Sequence, residues 1–173
     1  MTVTIQTKRL VLRPLTVNDA PQMFHHWANS KTVTKYLTWP PHTSITQTQA
    51  RLALREKSDD EDWGIVIQAT DELIGTINVV EDKPEIKTKI IGYVIGEAYW
   101  GEGYMTEALD AVINYLFSHT TVNRIEASHD IENPGSGKVM QKNGMTFEGI
   151  LRQAGRNNRG IVDIALYSRL RED

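Results

Sequence analysis

Near the middle of this 173-residue chain an apolar strand pattern runs into a glycine-rich turn, and a long amphipathic pattern follows at once. Ile90 to Ile95 is rich in β-branched residues and reads as a strand. Tyr99-Trp100-Gly101-Glu102-Gly103 interrupts it, and Tyr104 to Ser118 has the apolar spacing of a helix. Only folds that set the start of a helix at the end of a strand accommodate that succession. The first N–H groups of a helix have no intrahelical partner, and the helix dipole places partial positive charge there. Such a turn is suited to hold a phosphate. Gly101 and Gly103 remove side chains where a pyrophosphate needs close approach.

The order of the other elements decides which phosphate-binding fold is meant. Lys8 to Leu15 reads as a strand. Thr16-x-x-Asp19 resembles a capping box, opening a helix with Ala20, Met23, Phe24, Trp27 and Ala28 on one face. Lys35 to Thr43, with Trp39-Pro40-Pro41, reads as a loop, and Ser44-x-x-Gln47 opens a second helix to about Lys57. Trp63–Gln68, Leu73–Val80 and Thr88–Ile95 form an antiparallel meander, with Thr70-Asp71-Glu72 as a tight turn. After the glycine turn and its helix come a strand, Arg124–His129, and a helix, Asn133–Asn143. Asn133 and Pro134 fit its N-cap and first position, and Gly144 fits the left-handed stop. Thr146–Arg152 and Ile161–Arg169 read as closing strands, with Arg152–Gly160 between them as a loop.

A doubly wound parallel sheet requires β–α alternation throughout, and this chain begins with antiparallel strands instead. A dinucleotide site also requires a third glycine where Thr106 stands, and no Gly-Lys-Ser/Thr follows the turn. The expectation is therefore a mixed α+β domain spanning residues 1–173, without repeats or linkers. Its central twisted sheet is mostly antiparallel, with about seven strands and about four helices.

Net charge is −3 and there is no cysteine. The first argues against a nucleic-acid partner and slightly favours a cationic acceptor such as an amine, although ordinary solubility accounts for it better. The second excludes disulfides, thiolate metal sites and a cysteine nucleophile, and fits a reducing cytoplasm. His25, His26 and His42 lack metal-ligand spacing, so no metal is expected. No leader pattern opens the chain and no apolar run approaches ~20 residues, so no membrane association is expected.

Gly92-Tyr93-Val94-Ile95 through Trp100-Gly101-Glu102-Gly103-Tyr104-Met105-Thr106-Glu107-Ala108 forms one block, and Glu132-Asn133-Pro134-Gly135-Ser136 through Lys142-Asn143-Gly144-Met145 a second. Together they resemble the two signature blocks of the GNAT acetyltransferase superfamily. More closely they resemble its Rim-type branch, which includes ribosomal-protein N-terminal acetyltransferases. Thr7-Lys8-Arg9-Leu10-Val11-Leu12-Arg13 and the closing strand with Asp163 and Tyr167 match as well. The resemblance implies a GNAT-like fold whose splayed central strands hold acetyl-CoA as co-substrate. In the superfamily pattern Gln/Arg-x-x-Gly-x-Gly/Ala, Trp100 takes the first place, Gly103 the first glycine and Met105 the Gly/Ala. Trp100 is usual in the Rim-type branch. By that resemblance the amides of Gly101, Glu102, Gly103, Tyr104, Met105 and Thr106 cradle the pyrophosphate. Tyr93, Val94 and Ile95 pair their backbone with the pantetheine arm, and Asn133 and Ser136 face the thioester end.

Direct acetyl transfer to an amine requires a neutral amine, a polarised thioester carbonyl, alignment, and a donor for the departing thiolate. The Ile95 N–H is the candidate for polarising the carbonyl. The family's usual thiolate acid, a tyrosine seven residues after the Asn, is replaced here by Met140; in Rim-type enzymes the Ser three residues after it serves, which is Ser136. The acid that many relatives carry two residues before the Gly-Tyr pair is replaced by Ile90. Glu81, Glu97, His129 or water remain as candidate bases, and Asn78 faces either cleft or solvent. Glu107 suits a first-turn dipole partner better than a base. Trp27, Trp39 and Trp63 suit core or groove wall.

The expected activity is acetyl-CoA-dependent N-acetylation of a primary amine, on a peptide N-terminus or a small molecule, by a monomer or homodimer. A non-catalytic CoA-binding module and an antibiotic- or polyamine-modifying enzyme are the alternatives. In either enzyme the Tyr36–Pro41 and Arg152–Gly160 segments would shape the acceptor pocket.

Overall fold

The computed structural model describes residues 2–173. Its strands are β1 (Ile5–Gln6), β2 (Leu10–Arg13), β3 (Asp62–Ile67), β4 (Glu72–Lys83), β5 (Thr88–Ile95), β6 (Arg124–Asp130), β7 (Thr146–Asn157) and β8 (Gly160–Leu170). They form one sheet in the order β1-β2-β3-β4-β5-β6-β8-β7. Every neighbouring pair is antiparallel except β5 with β6. Five α-helices accompany it: α1 (Ala20–Met23), α2 (Lys31–Thr34), α3 (Ile45–Glu56), α4 (Tyr104–His119) and α5 (Pro134–Lys142). The strand and helix beyond the expected counts are short pieces.

Strand alternation puts an apolar core on each face. Leu10, Leu12, Trp63, Ile65, Ile74, Ile77, Ile91 and Ile125 pack under α4, whose Ala108, Leu109, Val112, Ile113 and Leu116 are fully buried. Val66 and Leu73 turn to the other face, beneath Met23, Trp27 and Leu52 of the early helical segments. Trp27 and Trp63 are thus core residues. Among the described residues no helix is long and apolar enough to cross a membrane.

The expected helix from Ala20 keeps its buried face but changes pitch. A tight turn at Val17–Asp19 leads into α1, and Phe24–Ala28 widens to a π-helical turn. There the His26 ring reaches the Leu73 carbonyl of β4. The Thr16 N–H donates to Asp19 at 2.8 Å, as the capping pattern requires. At α3 the box is shifted by one residue: Ser44 Oγ accepts from the Gln47 N–H at 3.2 Å, while Gln47 Oε1 accepts from the Thr43 N–H at 2.9 Å.

The segment Arg152–Gly160, expected as a loop, is instead the far end of a long hairpin. β7 continues to Asn157 and β8 begins at Gly160. Gly155 marks a bulge, where the register shifts after Leu151, Gly160 follows the tight turn, and an earlier shift lies between Phe147 and Gly149. A Cβ on Gly155 would stand 2.5 Å from the Ile164 side chain.

The feature that positions a site is where β5 and β6 separate. They pair only through Thr88–Arg124, Lys89–Ile125 and Ile90–Glu126. Beyond that point β5 stays with β4 as far as Ile95, and β6 stays with β8 as far as Asp130. A V-shaped gap opens between them. Close approach of β4 and β5 supports the near side of the gap: a Cβ on Gly75 would lie 2.2 Å from the Val94 carbonyl oxygen. Gly75→Ala is expected to lower the unfolding free energy by about 1–3 kcal/mol. Urea titration measures this, and an unchanged midpoint contradicts it.

Candidate active site at the strand splay

The ladder between β4 and β5 fixes which backbone groups of β5 face the gap. The Gly96 N–H donates to the Ile74 carbonyl at 2.8 Å. Even-numbered residues of β5 therefore bond to β4, and odd-numbered ones turn the other way. At the closed end the odd-numbered Lys87 carbonyl receives the Asn123 and Arg124 N–H groups, in keeping with that parity. Tyr93 and Ile95 consequently direct their N–H and C=O groups into the gap. Val94 differs from the expectation. Its backbone turns to Thr76 on β4, and its side chain packs into the core beneath the early helices. The Ile95 carbonyl accepts the Trp100 indole N–H at 2.9 Å, so at Ile95 the N–H is the backbone group left to the gap. An extended ligand could pair here as an added strand.

The gap leads straight into the glycine turn. Gly101 and Gly103 have φ of 77° and 79°, a region that side chains other than glycine adopt at a cost. The first bond of α4 runs from the Glu107 N–H to the Gly103 carbonyl at 3.1 Å. The amides of Tyr104, Met105 and Thr106 therefore stand at the helix start without intrahelical acceptors.

This turn is braced from the other end of the chain, which sequence reasoning missed. The Arg9 guanidinium bonds Glu107 Oε2 through Nε at 2.7 Å and the Glu102 carbonyl through Nη1 at 2.9 Å. It also lies 4.5 Å from the centre of the Tyr104 ring. Glu107 Oε1 accepts the Arg9 N–H at 2.8 Å and the Thr7 hydroxyl at 2.6 Å. Glu107 is thus a bound structural anion rather than a free base. Burial alone would raise its pKa, but bonds from Thr7 and Arg9 together with the Arg9 charge outweigh burial and hold it below the usual carboxylate value.

Across the gap, β6 leads into α5. The Ser136 hydroxyl donates to Tyr93 Oη at 3.0 Å, and the Tyr93 hydroxyl donates to the Ser136 carbonyl at 2.9 Å. This pair bridges β5 and the first turn of α5. Burial pushes the Tyr93 phenol well up, against the Ser136 bond, so it stays protonated. Asn133 stands at the N-cap, but its side chain makes no capping bond; only its N–H is engaged, to the Asp130 carbonyl at 2.8 Å. Asn143, which carried no functional expectation, ties the two helices by donating to the Thr106 carbonyl at 3.2 Å. Met140 is core.

The candidate bases separate clearly. The His129 ring is turned beneath α5: Nδ1 meets the Asp130 carbonyl at 2.7 Å, and a Cβ on Gly137 would stand 2.6 Å from Nε2. It is a packing residue. Glu81 and Glu97 are exposed, with Glu81 3.6 Å from Lys83. Asn78 is half-buried and pairs with Gly92, its side chain toward the face of the early helices.

On that face the hairpin tip clasps the loop after α2. Asn158 donates to the carbonyls of Thr34 at 2.7 Å and Trp39 at 2.8 Å. Buried Asp130, at the open end of β6, accepts from Asn157 at 2.9 Å and Arg159 at 2.7 Å. The Tyr36 hydroxyl reaches the Glu132 carbonyl at 2.9 Å. The two segments expected to border an acceptor pocket are therefore joined to each other and to β6.

The chain belongs to the GNAT acetyltransferases: residues 9–146 match the family model for the acetyltransferase (GNAT) domain. It is an N-acetyltransferase of the ribosomal-protein acetyltransferase-like kind. An uncharacterized N-acetyltransferase, p20, from Bacillus licheniformis is 30% identical across 98% of this chain and 97% of its own. The ribosomal-protein-serine acetyltransferase of Escherichia coli (strain K12) is 29% identical, over 98% of each chain. In fold, a ribosomal L7/L12 α-N-protein acetyltransferase solved in complex with coenzyme A superposes with a TM-score of 0.84, at 24% identity over 97% of this chain and 98% of that one.

The lowered pKa values of Glu107 and Asp130 have a consequence for stability. For Asp130, burial raises the pKa, and the bonds from Asn157, the Glu132 N–H and Arg159 outweigh it. Both groups take up protons more readily in the unfolded chain. The stability they contribute is complete above their ordinary values and is lost as pH falls through the lowered folded ones. Unfolding free energy in urea is expected to drop between about pH 5 and pH 2, with a shallower slope for Glu107→Gln. Identical slopes in parent and variant contradict this.

Proposed function

We propose that residues 1–173 act as one N-acetyltransferase domain that moves the acetyl group of acetyl-CoA directly to a primary amine. The observation that carries this reading is the gap itself. Backbone groups without a strand partner, at Tyr93 and at the Ile95 N–H, lead into an anion-ready helix start at Gly101–Thr106, with Asn133 and Ser136 on the opposite bank. A thioester on an extended arm that ends in a pyrophosphate matches that sequence of groups. The relative solved with coenzyme A supports the same ligand class.

In this reading Gly101, Glu102, Gly103, Tyr104, Met105 and Thr106 hold the pyrophosphate through backbone amides, with Tyr93 along the pantetheine. The Ile95 N–H polarises the thioester carbonyl. The amine nitrogen attacks that carbon, the C–S bond breaks, and its electron pair goes to sulfur. The nitrogen sheds its extra proton to water. Sulfur takes a proton from the Ser136 hydroxyl, which water then restores. No side-chain base is required for an α-amine, whose ordinary pKa near ~8 leaves part of it neutral at pH 7. The Escherichia coli ribosomal-protein-serine acetyltransferase and the ribosomal L7/L12 α-N-protein acetyltransferase support a protein α-amine as acceptor.

Calorimetry with acetyl-CoA is expected to show binding at ~100 μM, within the usual range for such ligands, and Gly103→Trp to abolish it with the fold retained. Absence of binding by the parent, or full affinity in the variant, overturns the cofactor assignment. Thiol release over a panel of Ser- and Ala-initiated peptides, spermidine and lysine identifies the acceptor. Ser136→Ala should lower kcat about 10²-fold with little change in the KM for acetyl-CoA. An unaltered kcat removes Ser136 from the chemistry. Binding without release from any amine supports a CoA-binding module instead, the reading that Met140 and Ile90 leave open.

A further inference from the structure

The pyrophosphate assignment leaves one charged side chain unexplained. Arg9 lies beside the glycine turn, on the edge of β2, and its three nitrogens are used unequally. Nε goes to Glu107 and Nη1 to the Glu102 carbonyl. Nη2 has no hydrogen-bond acceptor among the described residues, and it lies 3.4 Å from where a Cβ on Gly103 would stand. The Arg9 side chain is 38% exposed, and Nη2 is the nitrogen left over at the turn. Its direction is not free. The Tyr104 ring at 4.5 Å, the Glu107 carboxylate and the Glu102 carbonyl hold the plane on three sides.

Glu107 makes the arrangement necessary. It is a carboxylate in the first turn of the helix whose start faces the anion. Unpaired, it would repel a pyrophosphate and oppose the helix dipole's attraction. Its lowered pKa keeps it ionised. Arg9 cancels that charge at 2.7 Å and leaves one N–H pair to spare. A guanidinium suits this double duty, since its planar donors can grip a carboxylate and a phosphate oxygen together, whereas an ammonium is a point charge.

Resting on the acetyl-CoA reading above, we infer that Arg9 is a direct ligand of the cofactor's pyrophosphate through Nη2, while Nε and Nη1 set the shape of the Gly101–Gly103 turn. The Arg9–Glu107 pair thus makes an anion site out of a helix start that carries a carboxylate. A strut that only neutralised Glu107 would be served as well by a lysine, whereas a pyrophosphate ligand acting through Nη2 beside two occupied nitrogens would not.

The test compares parent, Arg9→Met and Arg9→Lys with three probes. These are acetyl-CoA, 3′-dephospho-CoA, which keeps the pyrophosphate, and S-acetylpantetheine, which has no phosphate. The Kd of Arg9→Met is expected to rise about tenfold or more for the first two alike, as loss of a charge-assisted bond implies. The loss of kcat/KM with S-acetylpantetheine should be several-fold smaller than the loss of affinity for acetyl-CoA. Arg9→Lys should show the same pattern, because one ammonium cannot serve Glu107, Glu102 and a phosphate at once; it carries the comparison if Arg9→Met fails to fold. Unchanged affinity for acetyl-CoA overturns the inference. So does an equal loss with S-acetylpantetheine, which reduces Arg9 to a strut, or a loss confined to acetyl-CoA, which moves the contact to the 3′-phosphate. A parent protein that binds no acetyl-CoA overturns the cofactor reading together with this one. A parent that binds, with variants that bind equally well, overturns this one alone.

Discussion

Parallel pairing between β5 and β6 ends at Ile90 and Glu126, and the rest of the molecule is arranged around the backbone groups this leaves over. A sheet interior does not ordinarily abandon its ladder, because unpaired N–H and C=O groups away from water cost about as much as lost hydrogen bonds. Here each strand is kept in place by its other neighbour. β4 follows β5 to Ile95, and β8 follows β6 to Asp130. Both banks of the gap are therefore held by a neighbouring strand, and the groups facing it, at Tyr93 and at the Ile95 N–H, are presented rather than frayed. A ligand that restores those bonds takes the place of a missing strand.

The two ends of the gap are finished by long-range contacts. At the turn, Arg9 and Thr7 neutralise and orient Glu107, while Asn143 bonds the Thr106 carbonyl from α5. At the open end, Asp130 gathers the hairpin tip through Asn157 and Arg159, and Asn158 draws in the loop that follows α2. Between the banks, Tyr93 and Ser136 hold a reciprocal pair of hydrogen bonds. In the proposed reading the cofactor side and the acceptor side are tied to the same two strands, and the sheet itself aligns the substrate pair.

Much of this was legible in the residues. Alternation located the meander, helical spacing located α3, α4 and α5, and the two motif blocks pointed to the family. What escaped were features with no local signature. Arg9 and Glu107 are 98 residues apart, so neither announces the other. The Arg152–Gly160 stretch carries the glycines, asparagines and arginines of a loop, yet Gly155 serves as a bulge position within a long hairpin. The helix after Thr16 kept its apolar face but adopted a π turn at Phe24–Ala28, a change that side-chain periodicity does not report. Asn133 has the type and place of a capping residue, and its side chain caps nothing. Val94 sat in the right motif on the wrong parity, which only the β4 ladder reveals.

That parity provides the most direct test of the account. Amide hydrogen exchange with and without acetyl-CoA reads each N–H of β5 and the glycine turn separately. New protection is expected at Tyr93, Ile95 and Gly101 to Thr106 on binding, with little change at Val94, whose N–H already faces β4. Protection spread evenly along β5, or absent from the turn while acetyl-CoA is bound, would contradict it.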